Sequence, residues 1–278
     1  MRPNWRRLLL SLTIVAVVCG VIWAGLELWS NATRQPLPSD DQCVATADGN
    51  SATVTLEQAH NAAIVSAVAL RRGLPSRAVT IALATAFQES GLRNLDHGHA
   101  DSIGLFQQRP SKGWGTIKQI MDPYYSSGKF YSALVRVKNW RTADVNDVAQ
   151  AVQRSAYPEA YRKHVGKATA LAAALTGVAP GGITCKVRTP AKADPAGLAK
   201  LIRTALKYDV TVSDDGDQLV IQAATQQRAW AAAHLAIANT GDYGVARVSV
   251  GGASWVHDTR SPAPWSGIGG GRVVTVGF

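Results

Sequence analysis

The segment from Gln88 to Gln108 contains the side chains of this sequence that are best suited to catalysis or metal binding. The stretch reads QESGLRNLDHGHADSIGLFQQ, with one glutamate, two aspartates and two histidines among glycines and glutamines. Such a set is compatible with a metal site, a pair of catalytic carboxylates or a polar loop. The three carboxyl groups that bear on this choice are Glu89, Asp96 and Asp101.

Glu89 falls at the end of PSRAVTIALATAFQES, a segment whose apolar residues recur at helical spacing and which stops before Gly91. A carboxyl among apolar neighbours loses hydration, so its pKa rises and it keeps a proton nearer neutral pH. The partial negative charge of a helix C-terminus acts in the same direction. The sequence therefore predicts that Glu89 can act as a general acid, which cleavage of a glycosidic bond requires.

Three short motifs resemble those of the bacterial lytic transglycosylases of the lysozyme-like superfamily. Glu89-Ser90 matches the family's ES, the GLFQ of 104–107 matches GLMQ, and Ala156-Tyr157 matches the first two residues of AYNAG. Phe106 stands where the family has methionine, and Pro158-Glu159 replace the Asn-Ala of the third motif. The resemblance covers about residues 52–177 and implies a peptidoglycan-cleaving enzyme.

The resemblance also implies a role for each matching residue. Glu89 would be the acid, Ser90 would orient its carboxyl, and the Tyr157 hydroxyl would steer it. The backbone of the second motif would approach the glycan and its glutamine would bind it. The substrate-binding residues implied are Ser90, Gly104, Leu105, Phe106, Gln107 and Tyr157.

Two mechanisms and one non-catalytic function follow from these residues. With a single acid, the sugar's own 6-hydroxyl closes a 1,6-anhydro ring and no water is consumed, as the resemblance implies. A hydrolase would need a second carboxylate, for which Asp96 and Asp101 are the candidates, at about 5–5.5 Å from Glu89 for retention or about 6.5–9.5 Å for inversion. The third reading is a protein that binds wall glycan without cutting it.

The other polar and aromatic residues of this region indicate less specific roles. Asp96, His97, His99 and Asp101 lack the spacings typical of zinc sites and the EF-hand pattern, so the sequence predicts a cleft-lining loop and neither metal nor cofactor. A calcium site that uses the two aspartates is the alternative. Candidate glycan contacts follow the second motif. They are Gln108, Arg109, Trp114, Tyr124, Tyr125 and Tyr131.

The elements that must position these residues are mostly helices. Five segments between Thr55 and Gly177 have helical spacing: TLEQAHNAAIVSAVALRRG, PSRAVTIALATAFQES, FYSALVRVKNW, DVNDVAQAVQRSAY and PEAYRKHVGKATALAAALTG. Towards the C-terminus, VTVSDDGDQLVIQ and YGVARVSVGGASWVH predict hairpins, RVVTVGF predicts a last strand, and two helical segments lie among them. The fold class expected is α+β.

Five segments are expected along the chain. They are residues 1–30 as a cytoplasmic tip and transmembrane anchor, 31–48 as a stalk, 49–178 as a mainly α-helical lysozyme-like catalytic domain, 179–195 as a linker, and 196–278 as a small α+β domain of unassigned role with an antiparallel sheet.

The anchor is predicted from an apolar run. Leu8 to Leu26 are nineteen residues without a charge, and at about 1.5 Å per residue they span roughly 28 Å, close to a bilayer's hydrocarbon thickness. Arg2, Arg6 and Arg7 precede the run, so the N-terminus is expected in the cytoplasm and the rest outside the membrane. The alternative is a signal peptide cleaved near residues 30–32.

The cysteine positions and the net charge are both compatible with a location outside the membrane. Cys43 and Cys185 bracket the predicted catalytic domain, and outside the membrane they are expected to form a disulfide. A formal net charge of +10 could attract nucleic acid, but outside a membrane the anionic polymers of the wall and lipid head groups are the expected counterparts. One spanning helix offers no bundle interior for transport.

Overall fold

The structure, a computed structural model, describes residues 41–153, 159–216 and 218–278, apart from the side chain of Tyr208. All of these residues belong to one compact unit. No helix within these ranges is long and apolar enough to cross a membrane. The predicted anchor, Leu8–Leu26, and the stalk residues 31–40 lie outside the described residues.

Nine α-helices are described, and most of the predicted helices are among them. Thr55 begins the first with a capping box, in which its side chain and that of Gln58 each accept a backbone N–H of the other residue. The helices are α1 (Leu56–Arg71), α2 (Ser76–Ser90), α3 (Ile117–Ile120), α4 (Pro123–Leu134), α5 (Val145–Gln153), α6 (Val165–Leu175), α7 (Pro195–Leu206), α8 (Gln226–Ala238) and α9 (Thr240–Tyr243).

The helix predicted over residues 130–140 differs most from the structure. Helix α4 begins at Pro123, because Asp122 accepts the N–H of Tyr124 as an N-cap and proline suits the first helical position. It ends at Leu134, and a chain of turns follows. The helix predicted over residues 158–177 is confirmed as α6 from Val165 onwards, and a short 3₁₀ turn at Arg162–His164 precedes it.

A small antiparallel sheet joins parts of the predicted stalk, the start of the predicted catalytic domain and the predicted linker. Its strands are β1 (Gln42–Ala47), β2 (Asn50–Val54) and β3 (Ile183–Lys186), in the order β2-β1-β3. Asp48 and Gly49 both have positive φ, at 49° and 74°, the geometry of a tight two-residue hairpin turn. The Asp-Gly pair was the sequence signal for this hairpin.

The predicted disulfide is confirmed, and this sheet makes it. Cys43 of β1 and Cys185 of β3 are direct cross-strand partners, are both fully buried, and are bonded across a sequence separation of 142. The bond therefore ties the start of the described chain to the strand that follows α6.

The C-terminal part is an antiparallel sheet with helices on one face, as predicted. The strands are β4 (Val210–Asp214), β5 (Gln218–Ala223), β6 (Arg247–Gly251), β7 (Ala253–Val256) and β8 (Gly269–Gly277). Both predicted hairpins form, and β8 inserts between them to give the order β4-β5-β8-β6-β7. Helices α7 and α8 cover the face that carries the buried side chains Ile221, Val248 and Val274.

The helical part and the C-terminal sheet share one hydrophobic core. Helix α8 packs against α1, α6 and β3 as well as against its own sheet. Three of its side chains bind carbonyls at the ends of α1 and α6: Arg228 binds Leu70, Gln227 binds Thr176 at 3.0 Å, and His234 binds Ala174 at 2.7 Å. These contacts satisfy helix C-terminal carbonyls that would otherwise lack partners.

Candidate active site

Glu89 lies in the last turn of α2, whose end is fixed by α1. Gly91 takes the left-handed conformation at φ 64°, which ends the helix. Gln58 donates to the Gly91 carbonyl at 2.8 Å, and Asn61 donates to the Leu92 carbonyl at 3.1 Å. Two polar side chains of α1 thus hold the turn that directly follows Glu89.

The Glu89 carboxyl is partly buried and accepts hydrogen bonds from two neutral side chains. The Tyr161 hydroxyl donates to its Oε1 at 2.8 Å, and the Gln153 amide is its second donor. Burial raises the pKa of Glu89 above 4.5, and the bonds from Tyr161 and Gln153 limit that rise without cancelling it. The side chain therefore keeps its proton to higher pH than an exposed glutamate.

Gln153 also links Glu89 to the second motif. Its amide nitrogen donates to the carbonyl of Phe106 at 2.8 Å. This bond to the backbone of residues 104–107 fixes the side-chain amide of Gln153, and the same amide forms a hydrogen bond with the carboxyl of Glu89. Gln153 was not among the predicted site residues, although it lies three positions before the Ala156-Tyr157 pair of the third motif.

Among the described residues, Tyr161 is the tyrosine whose hydroxyl binds the Glu89 carboxyl. The sequence RSAYPEAY contains the pair Ala-Tyr twice, and the resemblance was drawn on the first, at Tyr157. Tyr157 lies outside the described residues. Tyr161, from the second pair, is fully buried, and its N–H donates to the Asn146 side chain at 3.2 Å. The repetition of Ala-Tyr was the signal for this alternative.

Ser90 connects the first two motifs rather than contacting the carboxyl beside it. Its hydroxyl is buried and lies 2.8 Å from the carbonyl of Leu105 and 3.1 Å from that of Ala86, and it accepts the N–H of Arg93 at 3.2 Å. The predicted glycan contact through Ser90 is not available, because this side chain is in the interior. Its contribution is to dock the loop against α2.

The second motif is the tip of a tight turn. Ile103 and Gln108 exchange two backbone hydrogen bonds, of 3.0 and 2.9 Å, which close the loop over residues 104–107. Gly104 has a φ of 78°, and a Cβ there would lie 3.0 Å from the Ile120 carbonyl. The glycine is thus required by the close approach of protein backbone, where the resemblance implied approach by glycan.

The side chains of this turn do not all face outwards. Leu105 and Phe106 are fully buried, and the Phe106 ring stacks on Phe130 with centroids 4.6 Å apart, so the predicted glycan contacts do not extend to these two side chains. Gln107 is partly exposed, and its amide donates to the carbonyls of His97 and Gly104 at 3.2 and 3.3 Å. Gln107 remains the side chain of the motif that can reach a ligand.

The two candidate second carboxylates are both engaged elsewhere. Asp101 accepts from Arg109 at 2.6 Å and from the Ser111 N–H at 2.8 Å, and these bonds hold its pKa well below its usual range. The Asp96 side chain is 84% exposed and pairs with His97 at 2.7 Å, which lowers its pKa. The Asp101 carboxylate thus holds Arg109 and Ser111, in the segment after the second motif, and Asp96 lies on the surface.

The remaining candidates divide between interior and surface. Gln108 is buried and donates to the Ser126 carbonyl at 3.2 Å, and Tyr131 is buried with its hydroxyl on the Val65 carbonyl at 3.1 Å, so neither can line a sugar subsite. Arg109 is the partner of Asp101. Trp114, Tyr124 and Tyr125 are partly exposed.

The loop of residues 96–101 is a surface loop. His97 and His99 are exposed, and no group of three or more His, Cys, Asp or Glu side chains suited to a metal occurs among the described residues. Asp96 pairs with His97, and Asp101 accepts from Arg109 and from the Ser111 N–H.

Tyr161→Phe is expected to lower any glycan-cleaving rate by about ten- to a hundredfold, the cost of a hydrogen bond to a charged group. Because the Tyr161 bond lowers the pKa of Glu89, its loss should raise that pKa further and move the alkaline limb of the pH–rate profile upwards. Tyr131→Phe is the matched control, since it also removes a buried hydroxyl. Equal profiles for the two variants would contradict the role of Tyr161.

In comparisons with known proteins, no protein-family model matches this chain, and no curated protein matches it either.

Proposed function

We propose that the protein cleaves peptidoglycan glycan strands, with Glu89 as the catalytic acid. The observation that carries this proposal is the carboxyl itself: partly buried, raised in pKa by that burial, and held by Tyr161 at 2.8 Å and by Gln153. A carboxyl whose pKa is raised by burial, beside two neutral donors, is suited to protonate a leaving oxygen and then to stand as a carboxylate.

The reaction proposed is the non-hydrolytic one. Glu89 gives its proton to the glycosidic oxygen between MurNAc and GlcNAc as the bond from that oxygen to the anomeric carbon breaks. The carboxylate then takes the proton of the sugar's 6-hydroxyl. The oxygen of that hydroxyl bonds to the same anomeric carbon, which closes a 1,6-anhydro ring. The hydrogen bonds from Tyr161 and Gln153 stabilise the carboxylate between the two steps.

Hydrolysis is the second mechanism, and the contacts of the two aspartates favour it less. A hydrolase needs a second carboxylate free to bind the sugar or a water. The carboxylate of Asp101 is occupied by Arg109 and Ser111, and that of Asp96 is paired with His97 at the surface. The single-acid mechanism uses neither of them.

The proposed setting is the outer side of a membrane, with residues 8–26 as a single span and wall glycan as the partner. The buried disulfide between Cys43 and Cys185 supports an oxidising compartment. The net charge of +10 suits an anionic wall. In this setting the C-terminal sheet, whose helices share the core of the catalytic part, positions the enzyme or binds a partner.

Digestion of purified sacculi, followed by mass spectrometry of the released fragments, tests the proposal. We expect soluble muropeptides that end in 1,6-anhydro-MurNAc. Free reducing ends would instead assign the hydrolytic mechanism. Glycan that co-sediments with the protein and stays intact would assign a binding protein and refute cleavage.

A further inference from the structure

A cavity of about 410 Å³ lies between the helical part and the C-terminal part. The C-terminal end of α1 contributes Arg71 and Arg72, helix α4 contributes Tyr124, and the end of α7 contributes Leu206 and the following Lys207. Small-molecule sites have volumes of about 300–1,000 Å³. Tyr124, one of the candidate glycan contacts, lines this cavity, but Glu89, Tyr161 and Gln153 do not, so the chemistry of the cavity is a separate question.

Cations dominate the polar lining of the cavity. Among the described residues that line it, the carboxylate is that of Asp209, which forms an ion pair with Arg228 at 3.1 Å. Among the described residues, Arg71, Arg72 and Lys207 have no ion-pair partner. Three like charges around one cavity repel each other, and an anion placed among them would relieve that repulsion.

The two guanidinium groups are held in place and keep free donors. Arg71 donates from Nη1 to the Thr204 carbonyl at 2.9 Å, and Arg72 donates from Nη2 to the Ser132 hydroxyl at 3.0 Å. Each bond uses one edge of a guanidinium that carries five N–H groups. Pre-positioned forks of this kind suit the oxygens of a phosphate or carboxylate.

The remaining wall is apolar and aromatic. Val68 and Leu206 line the cavity with Tyr124, whose ring lies 5.3 Å from the Arg71 guanidinium carbon. The Tyr124 hydroxyl is buried and has no hydrogen-bond partner among the described residues. A ligand with an anionic end and an organic body would match both walls.

We propose that this cavity binds a small organic phosphate monoester, with its dianionic head on Arg71, Arg72 and Lys207 and its organic part against Tyr124, Val68 and Leu206. Three unmatched cations suit a dianion better than a single carboxylate. This inference does not rest on the proposed glycan cleavage, because it uses none of Glu89, Tyr161 and Gln153.

Isothermal titration calorimetry on the full chain in detergent, at fixed ionic strength, tests the site with phenyl phosphate, inorganic phosphate and benzoate. We expect saturable binding of phenyl phosphate, weaker binding of inorganic phosphate and weakest binding of benzoate. Arg72→Gln and Lys207→Gln remove one exposed cation each and should weaken phenyl phosphate binding about tenfold or more, as expected for a lost charge-assisted hydrogen bond.

Arg136→Gln is the matched control, since Arg136 is exposed and does not line the cavity. It should leave phenyl phosphate binding unchanged. Absence of saturable binding to the wild-type protein would overturn the proposal. Equal weakening in the Arg136 variant would overturn it too, because the attraction would then be general. Benzoate binding as tight as that of phenyl phosphate would refute the phosphate class.

Discussion

Glu89→Gln is expected to abolish release of muropeptides from sacculi, with a rate loss of about 10²–10⁴-fold, the range for removal of a general acid. Glutamine has the same shape and can still accept the Tyr161 hydroxyl bond, but it has no proton to give to the glycosidic oxygen. The measurement is the initial rate of fragment release at equal protein concentration. Activity equal to that of the wild type would remove Glu89 from the catalytic role.

The same variant should be more stable than the wild type at neutral and alkaline pH. The pKa of Glu89 is raised in the folded protein, so its contribution to stability is fully present below the unfolded pKa and is lost as pH rises through the folded pKa. Glutamine cannot ionise and avoids that loss. The difference in unfolding free energy between variant and wild type should therefore grow as pH rises from 4.5 through the folded pKa of Glu89 and stay constant above it.

Urea unfolding at several pH values separates this effect from misfolding. Glu57→Gln is the matched control, because Glu57 is exposed in the first turn of α1 and its side chain should not couple to Glu89. An inactive Glu89→Gln variant that is also less stable than the wild type at every pH would indicate structural damage, and the rate loss would then not support acid catalysis.

Loss of the disulfide is expected to lower the free energy of unfolding by about 2–5 kcal/mol, the usual cost of removing a native bridge. The bond joins two fully buried cysteines across a separation of 142 residues, so it restricts the unfolded chain over much of its length. It also fixes the pairing of β1 with β3. The measurement is urea unfolding followed by tryptophan fluorescence, with and without reductant.

A Cys19→Ser background isolates this effect, since the chain contains three cysteines and only Cys43 and Cys185 would then remain. The Cys43→Ala/Cys185→Ala variant in that background is the control and should not respond to reductant. Unfolding curves of the Cys19→Ser protein that coincide with and without reductant, despite full reduction, would contradict the stabilising role of the bridge.

Local sequence signals were sufficient for much of the fold. Helix α2 follows the apolar spacing of residues 75–90 and ends at Gly91, because glycine takes the left-handed conformation that closes a helix. The hairpins β4–β5 and β6–β7 form where alternating residues flank turn residues. These features depend on contacts between neighbours in the chain, so the sequence alone could predict them.

The sequence did not predict the small sheet β2-β1-β3, because its strands pair over long range. The turn at Asp48-Gly49 is a local signal, but β1 gains its second neighbour from β3, more than a hundred residues later. Short strands of four to six residues carry a weak periodic signal of their own. The position of β8 between two hairpins is likewise decided by its pairing with β5 and β6 and not by its own sequence.

The sequence by itself determined that Glu89 ends an apolar helix and that its pKa should be raised, because both follow from the residues next to it. Only the tertiary structure decided its partners. Three hydrogen bonds join residues 15 to 72 positions apart: Tyr161 to Glu89, Gln153 to the Phe106 carbonyl, and Ser90 to the Leu105 carbonyl. Burial and hydrogen-bond geometry at such separations arise when the helices pack, and the residue types alone do not encode which donors meet the carboxyl.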